Sequence, residues 1–307
     1  MSRPKVVVAE SIADVAIETL ATWCDVEVAI GADRAELIAA LGNAVALLVR
    51  SATKVDAEMI AAAPMLEVIG RAGVGLDNID VEAAEARGIV VVNAPDASTI
   101  SAAEHTMALL LAQARRIPEA DASLRAGRWE RKELSGVELY GKTLGIIGLG
   151  RIGAQVAKRA AAFGMRIIAF DPIVGEDQAE ALGAQLASLD DVLAETDFLT
   201  IHAPRSAETE GLLDAEALAR MKPTARLVNV ARGGIVDEVA LAAAIANGTI
   251  AGAALDVFAV EPTTESPLFE FPQVVVTPHL GASTHEAQHR AGASVVDAVV
   301  AALGSGS

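Results

Sequence analysis

The sequence predicts an α/β protein built from two doubly wound parallel sheets, and three observations predict it. Short apolar runs alternate with helical periodicity from residue 5 to about 93 and again from Lys142 to about 277, which implies parallel strands with helices on both faces. The runs are almost unbroken by polar residues, as in Val6-Val7-Val8 and Leu144-Gly145-Ile146-Ile147, and strands buried on both faces read this way. At 307 residues the chain also exceeds what one core usually holds, so two domains are expected.

In the first half the expected strands are Lys5 to Ala9, Val26 to Ile30, Val45 to Val49, Glu67 to Gly70 and Val90 to Asn93. Helical spacing falls between them at Ile12 to Leu20, Arg34 to Leu41, Asp56 to Ala63 and Val81 to Arg87. The first strand runs into Glu10 with no glycine turn behind it, so this half is not expected to hold a dinucleotide. Pro95 to Thr99 is a turn-rich break, and Ser101 to Arg116 then reads as one long helix carrying His105. The basic stretch Arg125 to Lys132 follows, unusual in so acidic a chain.

The second half opens on Leu144 to Ile147 running straight into Gly148-Leu149-Gly150-Arg151-Ile152-Gly153. Helical spacing continues to Phe163, and a further strand, Arg166 to Phe170, ends at Asp171. A lone G-x-G-x-x-G is a weak signal, but strand before, helix after and acidic residue at the next strand end make a complete βαβ unit. Gly148 permits the tight turn, Gly150 removes the Cβ that would keep a pyrophosphate from the backbone, and Gly153 lets helix and strand approach. The helix N-terminus then offers N–H groups and a positive dipole end to the anion. Asp171 can accept hydrogen bonds from the ribose hydroxyls of an adenosine and would repel a 2′-phosphate, which favours NAD over NADP. Strands are further expected at Phe198 to Ile201, Arg226 to Val230, Ala251 to Leu255 and Val274 to Thr277. The last helix, Ser283 to Leu303, has no strand after it and returns to the first sheet, which makes the first domain discontinuous.

A net charge of −17 argues against nucleic acid and anionic membrane as partners. An anionic substrate must then be drawn in by local arginines. The lone Cys24 excludes an intrachain disulfide and suits a reducing cytoplasm. The N-terminal run meets Glu10 too early for a signal peptide, and Gly304 to Ser307 reads as a linker.

Ligands of an open α/β sheet gather at the carboxyl ends of its strands. Three such ends carry Arg232 on a glycine turn, Asp256 followed by Glu261, and His279 after a proline. A guanidinium to grip a carboxylate, a carboxylate and an imidazole form a proton-transfer set. Each residue has a plainer reading, as a surface charge, a loop carboxylate or a hydrogen-bonding histidine. In the first half Arg50, beside Ser51, and Arg71 each end an apolar strand, and the glycines around Val74 and Gly75 offer an anion-binding nest. Arg50 and Arg71 read equally well as structural ion pairs. His105, His202, His285 and His289 lack metal-ligand spacing, and no metal is expected.

Together these motifs resemble the D-isomer-specific 2-hydroxyacid dehydrogenase family. The likeness is carried by Gly148 to Gly153, Asn229 to Asp237, Ala254 to Pro262 and Pro278 to Ala282, and by Val49 to Thr53, Gly70 to Asn78, Ser101 to His105 and Trp129 to Lys132. It implies a Rossmann NAD-binding domain, 96–283, inserted in a flavodoxin-like substrate domain made of 1–95 and 284–307. It further implies His279 as general acid/base, Glu261 as its partner and Arg232 as substrate anchor. Cofactor contacts are implied at Val74, Gly148, Gly150, Arg151, Ile152, Gly153, Asp171, Ala203, Val230, Ala231, Arg232, Asp256, His279, Gly281 and Ala282. Substrate contacts are implied at Arg50, Ser51, Arg71, Val74, Gly75, Arg232 and His279. The N-terminal motifs resemble the branch of the family that oxidises 3-phospho-D-glycerate to 3-phosphohydroxypyruvate, the first step of serine biosynthesis. The alternatives are a glyoxylate or hydroxypyruvate reductase and a non-catalytic NAD-sensing module of corepressor type. The resemblance also implies a homodimer joined through the NAD-binding domain, with Arg131 and Lys132 near the partner's active site. Relatives in serine biosynthesis commonly carry further domains, among them a serine-binding one; the sequence ends after the last helix, as a short natural form or as part of a longer chain, and inhibition by serine is not expected of these residues.

Overall fold

The architecture comes from a computed structural model, which describes residues 3–304. Of the expected terminal linker, 305–307 lie outside these. The first elements are β1 (Lys5–Val8), α1 (Asp14–Trp23), β2 (Asp25–Val28), α2 (Arg34–Ala40), β3 (Ala46–Val49), α3 (Ala57–Ala61), β4 (Val68–Arg71), α4 (Val81–Ala86) and β5 (Val90–Asn93). Two helices follow, α5 (Thr99–Ala114) and α6 (Ile117–Arg125), then β6 (Thr143–Ile147), α7 (Arg151–Ala162), β7 (Arg166–Phe170), α8 (Glu176–Ala181) and β8 (Ala184–Leu186). The chain continues through α9 (Leu189–Glu195), β9 (Phe198–Ile201), α10 (Ala215–Arg220), β10 (Arg226–Asn229), α11 (Glu238–Ala246), β11 (Gly252–Leu255), β12 (Val274–Val276) and α12 (His285–Gly304).

These form two compact units, one running up to Thr99 and resuming at Ala282, the other Ile100–Gly281. The first holds a parallel sheet in the order β2-β1-β3-β4-β5. Val6, Val7 and Val8 and all four residues of β3 are fully buried, and hydrophobic burial on both faces is what holds such a sheet together. The returning α12 packs on β4 so closely that a Cβ at Gly70 would sit 2.6 Å from Val299 Cγ2 and 2.9 Å from Val295 Cγ2. The glycine in that strand is therefore a requirement of the helix above it.

The second unit holds a parallel sheet in the order β12-β11-β10-β9-β6-β7-β8. The fold class is thus the expected one, two parallel sheets with interleaved helices. Most connecting helices are capped by a side chain: Asp33, Asp56, Asp80, Ser188, Asp214 and Asp237 accept first-turn N–H groups of α2, α3, α4, α9, α10 and α11. Such caps satisfy donors that a helix start leaves open.

Three elements differ from expectation. The long helix ends at Ala114, because Arg116 takes a left-handed backbone (φ 53°) and Pro118 opens α6. The Arg116 guanidinium fixes the corner through Glu119, with Nε to Oε1 at 3.0 Å. The first helix starts at Asp14 and runs to Trp23, leaving Ile12 buried in the turn. The short, partly polar β8, Ala184-Gln185-Leu186, carried no strand pattern. No described helix is long and apolar enough to cross a membrane.

Candidate active site

The strand order of the second unit's sheet reverses where β6 lies beside β9, and the turn after β6 is the glycine stretch. Gly148 has φ 93°, and a Cβ there would lie 2.7 Å from the His202 carbonyl oxygen. A Cβ at Gly153 would overlap the Gly148 carbonyl. Gly150 is the opposite case, since nothing lies within 4 Å of where its Cβ would be. Gly148 and Gly153 thus have structural reasons within the chain, whereas Gly150 faces open space. Gly150 is also the N-cap of α7, and no side chain caps that helix. Open N–H groups, positive dipole end and absent Cβ together suit a pyrophosphate.

Asp171 stands at the end of β7. Its Oδ2 accepts the Leu149 N–H at 2.7 Å, and its Oδ1 accepts those of Ile173 and Val174 at 2.8 and 3.0 Å. The carboxylate is therefore fixed against the glycine turn, where a ribose would reach it. His202 and Ala203 lie under Gly148. Burial pushes the His202 imidazole down to about 3, and its Nε2 is 3.0 Å from Thr200 Oγ1. This histidine stays neutral and takes no part as a base near neutral pH.

His279 and Glu261 meet directly, with Nδ1 2.6 Å from Oε2. Glu261 is anchored in turn, its Oε1 accepting the Phe258 N–H at 2.8 Å. The hydrogen bond to Glu261 raises the His279 pKa above its ordinary value, against the pull of burial and of the nearby Arg232 charge. Burial alone would raise the Glu261 carboxyl, but the bonds from His279 and Phe258 outweigh it and hold the group low. Such a pair fixes the imidazole's orientation and stabilises its charged form. The His279 side chain keeps 49% of its surface exposed, so it remains open to a ligand.

His279 has a left-handed backbone, φ 55°, uncommon for a residue with a Cβ. Asp256 is what holds it there. The fully buried Asp256 accepts the Leu280 N–H at 2.7 Å and the Gly281 N–H at 2.8 Å, while its backbone carbonyl accepts the His279 N–H at 2.8 Å. Thr277 Oγ1 donates to Asp256 Oδ1 at 2.6 Å, and His105 Nε2 lies 3.2 Å from the same oxygen. Burial works to raise this carboxyl as well, and these four bonds keep it ionised. A Cβ at Gly281 would lie 2.9 Å from Val230 Cγ1 and 3.2 Å from Asp256 Oδ2, which draws Val230, Asp256 and Gly281 together.

Arg232 sits on a turn braced by the buried Asn229, whose Nδ2 donates to the Arg232 carbonyl at 2.9 Å and whose Oδ1 accepts the Ala231 N–H at 3.0 Å. In the first unit, the Arg50 and Ser51 turn is held by Glu10 and Asn78, and Val74 is held by Asn93 Nδ2 donating to its carbonyl at 2.6 Å. Arg71 curls over Gly73, where any Cβ would strike its guanidinium. Ala282 also belongs to the first unit. The sequence reading missed Glu10, Asn78, His105, Thr277 and Asn229 as supporting residues. A polar residue inside an otherwise apolar helix face was the available signal for His105. Among the described residues no group of His, Cys, Asp and Glu is placed to hold a metal ion.

A parallel sheet with an open glycine turn, an acidic residue at the next strand end and an Arg, Glu and His set define an NAD-linked dehydrogenase class. Residues 107–281 match the model of the D-isomer specific 2-hydroxyacid dehydrogenase NAD-binding domain, and the chain belongs to that family. It is 57% identical over 303 residues to D-3-phosphoglycerate dehydrogenase of Mycobacterium leprae, covering 99% of this chain and 57% of that protein. The chain therefore spans little more than half the length of the curated relatives it matches first. Among solved structures, a Thermus thermophilus protein is 38% identical with a TM-score of 0.90, covering 98% of this chain and 97% of that one. D-lactate dehydrogenase of Aquifex aeolicus, solved with NAD and lactic acid, is 28% identical with a TM-score of 0.87, covering 98% and 96%.

Proposed function

We propose that the chain oxidises 3-phospho-D-glycerate to 3-phosphohydroxypyruvate with NAD. The observation that carries the chemistry is the His279 and Glu261 pair at 2.6 Å, in the same unit as the uncapped glycine turn. The relatives at 50–57% identity named D-3-phosphoglycerate dehydrogenase support the choice of substrate. NAD, when bound, supplies the acceptor for the hydride that leaves C2. Gly150 and the first N–H groups of α7 would hold its pyrophosphate, flanked by Arg151 and Ile152, and Asp171 would hold its adenosine ribose. Ala203, Val230, Ala231, Asp256 and Gly281 line the same strand ends.

His279 Nδ1 is engaged by Glu261, which leaves Nε2 to take the proton of the C2 hydroxyl as the C–H bond breaks. Glu261 balances the imidazolium so formed. Arg232 holds the substrate carboxylate and favours the carbonyl oxygen developing at C2. In the first unit, Arg50, Ser51, Arg71, Val74 and Gly75 are the candidate substrate residues, Arg50 the one for a phosphate. Mixing protein, NAD and 3-phospho-D-glycerate at alkaline pH should raise the absorbance of reduced nicotinamide. A protein that is silent in that assay yet turns over glyoxylate would contradict the substrate.

The protein acts as a homodimer through the second unit, which holds the glycine turn, in a reducing cytoplasm. Ile117, Leu124, Trp129 and Tyr140 support the dimer, being 52%, 59%, 80% and 79% exposed around α6 and the chain after it. The mass of the particle by light scattering tests it, and a Trp129→Glu variant should shift that mass towards the monomer.

A further inference from the structure

We propose that Glu10 is a positioning residue for the substrate, holding the Arg50 turn in the shape that presents the Arg50 guanidinium to the phosphate. The inference rests on the substrate reading above and deepens it.

Glu10 follows β1 and lies beside the end of the neighbouring β3. Its Oε1 accepts the N–H groups of Arg50 at 2.9 Å and Thr53 at 2.8 Å, and its Oε2 accepts that of Ala52 at 3.1 Å. Asn78 closes the turn from its carbonyl side, Nδ2 donating to Arg50 O at 2.8 Å and Thr53 O at 2.7 Å. Five hydrogen bonds from two side chains therefore fix four residues that belong to no helix or strand.

Convergent backbone N–H groups at a strand end make an anion site. Here the protein fills that site with its own carboxylate, so a ligand's anion cannot use those N–H groups. What the turn offers instead is the Arg50 side chain. It makes one hydrogen bond, Nη1 to Ser11 O at 3.3 Å, and no ion pair among the described residues. Glu10 thus spends its oxygens on backbone and leaves the guanidinium charge uncancelled by direct pairing. Burial works to raise the Glu10 carboxyl, and the three N–H bonds outweigh it, so the group is ionised.

In Glu10→Gln an amide NH2 must replace one acceptor and meet a backbone N–H head-on, which loosens the turn. The KM for 3-phospho-D-glycerate should rise roughly tenfold from the loss of charge-assisted bonds, with kcat and the NAD Kd close to wild type. Arg50→Met should raise the same KM, and the double variant should show no further rise over Arg50→Met, because Glu10 acts through Arg50. Should Glu10→Gln not fold, Asn78→Ala loosens the same turn from the other side and must show the same KM effect. A wild-type KM in Glu10→Gln beside a raised one in Arg50→Met would overturn the proposal alone, as would additive effects in the double variant. An unaltered KM in Arg50→Met would overturn the phosphate reading and the proposal with it.

Discussion

The two sheets share a parallel, doubly wound plan and differ at one turn. In each, the strand order reverses beside the first strand of its unit, β1 next to β3 in one and β6 next to β9 in the other. After β1 the chain continues as Ala9-Glu10-Ser11-Ile12-Ala13, side chains at every position, and the Glu10 carboxylate takes neighbouring backbone N–H groups for itself. After β6 it continues as Gly148-Leu149-Gly150, with open space at Gly150 and no cap on the helix. The first switch point is filled by a carboxylate, whereas the second keeps open space at Gly150 and an uncapped helix start, with Asp171 tied to the Leu149 N–H at its side. Topology alone therefore does not place the dinucleotide, and a few atoms at one turn do.

The largest expected effect separates binding from chemistry on the glycine-turn sheet. His279→Ala should lose turnover by about two to four orders of magnitude, while calorimetry should find its NAD affinity close to wild type. A comparable loss of NAD binding would mean that the imidazole serves the turn rather than the proton.

The glycines sharpen the contrast next. Gly150→Ala places a methyl group in open space at φ −71°, so its melting temperature should stay near wild type. That methyl group should nonetheless weaken NAD binding by about tenfold or more, since it meets the approaching pyrophosphate. Gly153→Ala drives a Cβ into the Gly148 carbonyl and should lower the melting temperature instead.

The acid limb of the pH profile comes third. Glu261 raises the His279 pKa, and oxidation needs the neutral imidazole, so kcat/KM should climb with pH through a midpoint above the ordinary histidine value. In Glu261→Gln that raising influence is lost, and the limb should move to lower pH, with turnover reduced. A limb that stays in place would assign it to another group. The smallest effect is expected at Asp171, where Asp171→Ser should narrow the preference for NAD over NADP by about tenfold in a comparison of kcat/KM.

Much of this was legible in the sequence because it is local. The strand runs around Val6-Val7-Val8 and Leu144 to Ile147, the glycine turn and Asp171 lie within single βαβ units, where periodicity and spacing carry the information. What was not legible is the bracing across long separations. His105 reaches Asp256 across 151 residues, and Glu10 reaches Arg50 across 40. Neither pairing leaves a periodic trace, because each partner is a single polar residue, His105 inside α5 and Glu10, Arg50 and Asp256 just past the ends of strands. The break at Arg116 was expected within two residues, but the second helix that starts at Ile117 was not, because the left-handed Arg116 and Pro118 open it on a mostly polar stretch. Glu10 itself was visible only as the residue that interrupts an apolar N-terminal run.

Amide hydrogen exchange with and without NAD compares the two turns in one measurement. Slowed exchange across Gly148 to Gly153 and at Ile173 and Val174, with Glu10 to Asp14 unchanged, is what the open second turn predicts. Protection centred on Glu10 to Asp14, with the glycine turn unaffected, would contradict it.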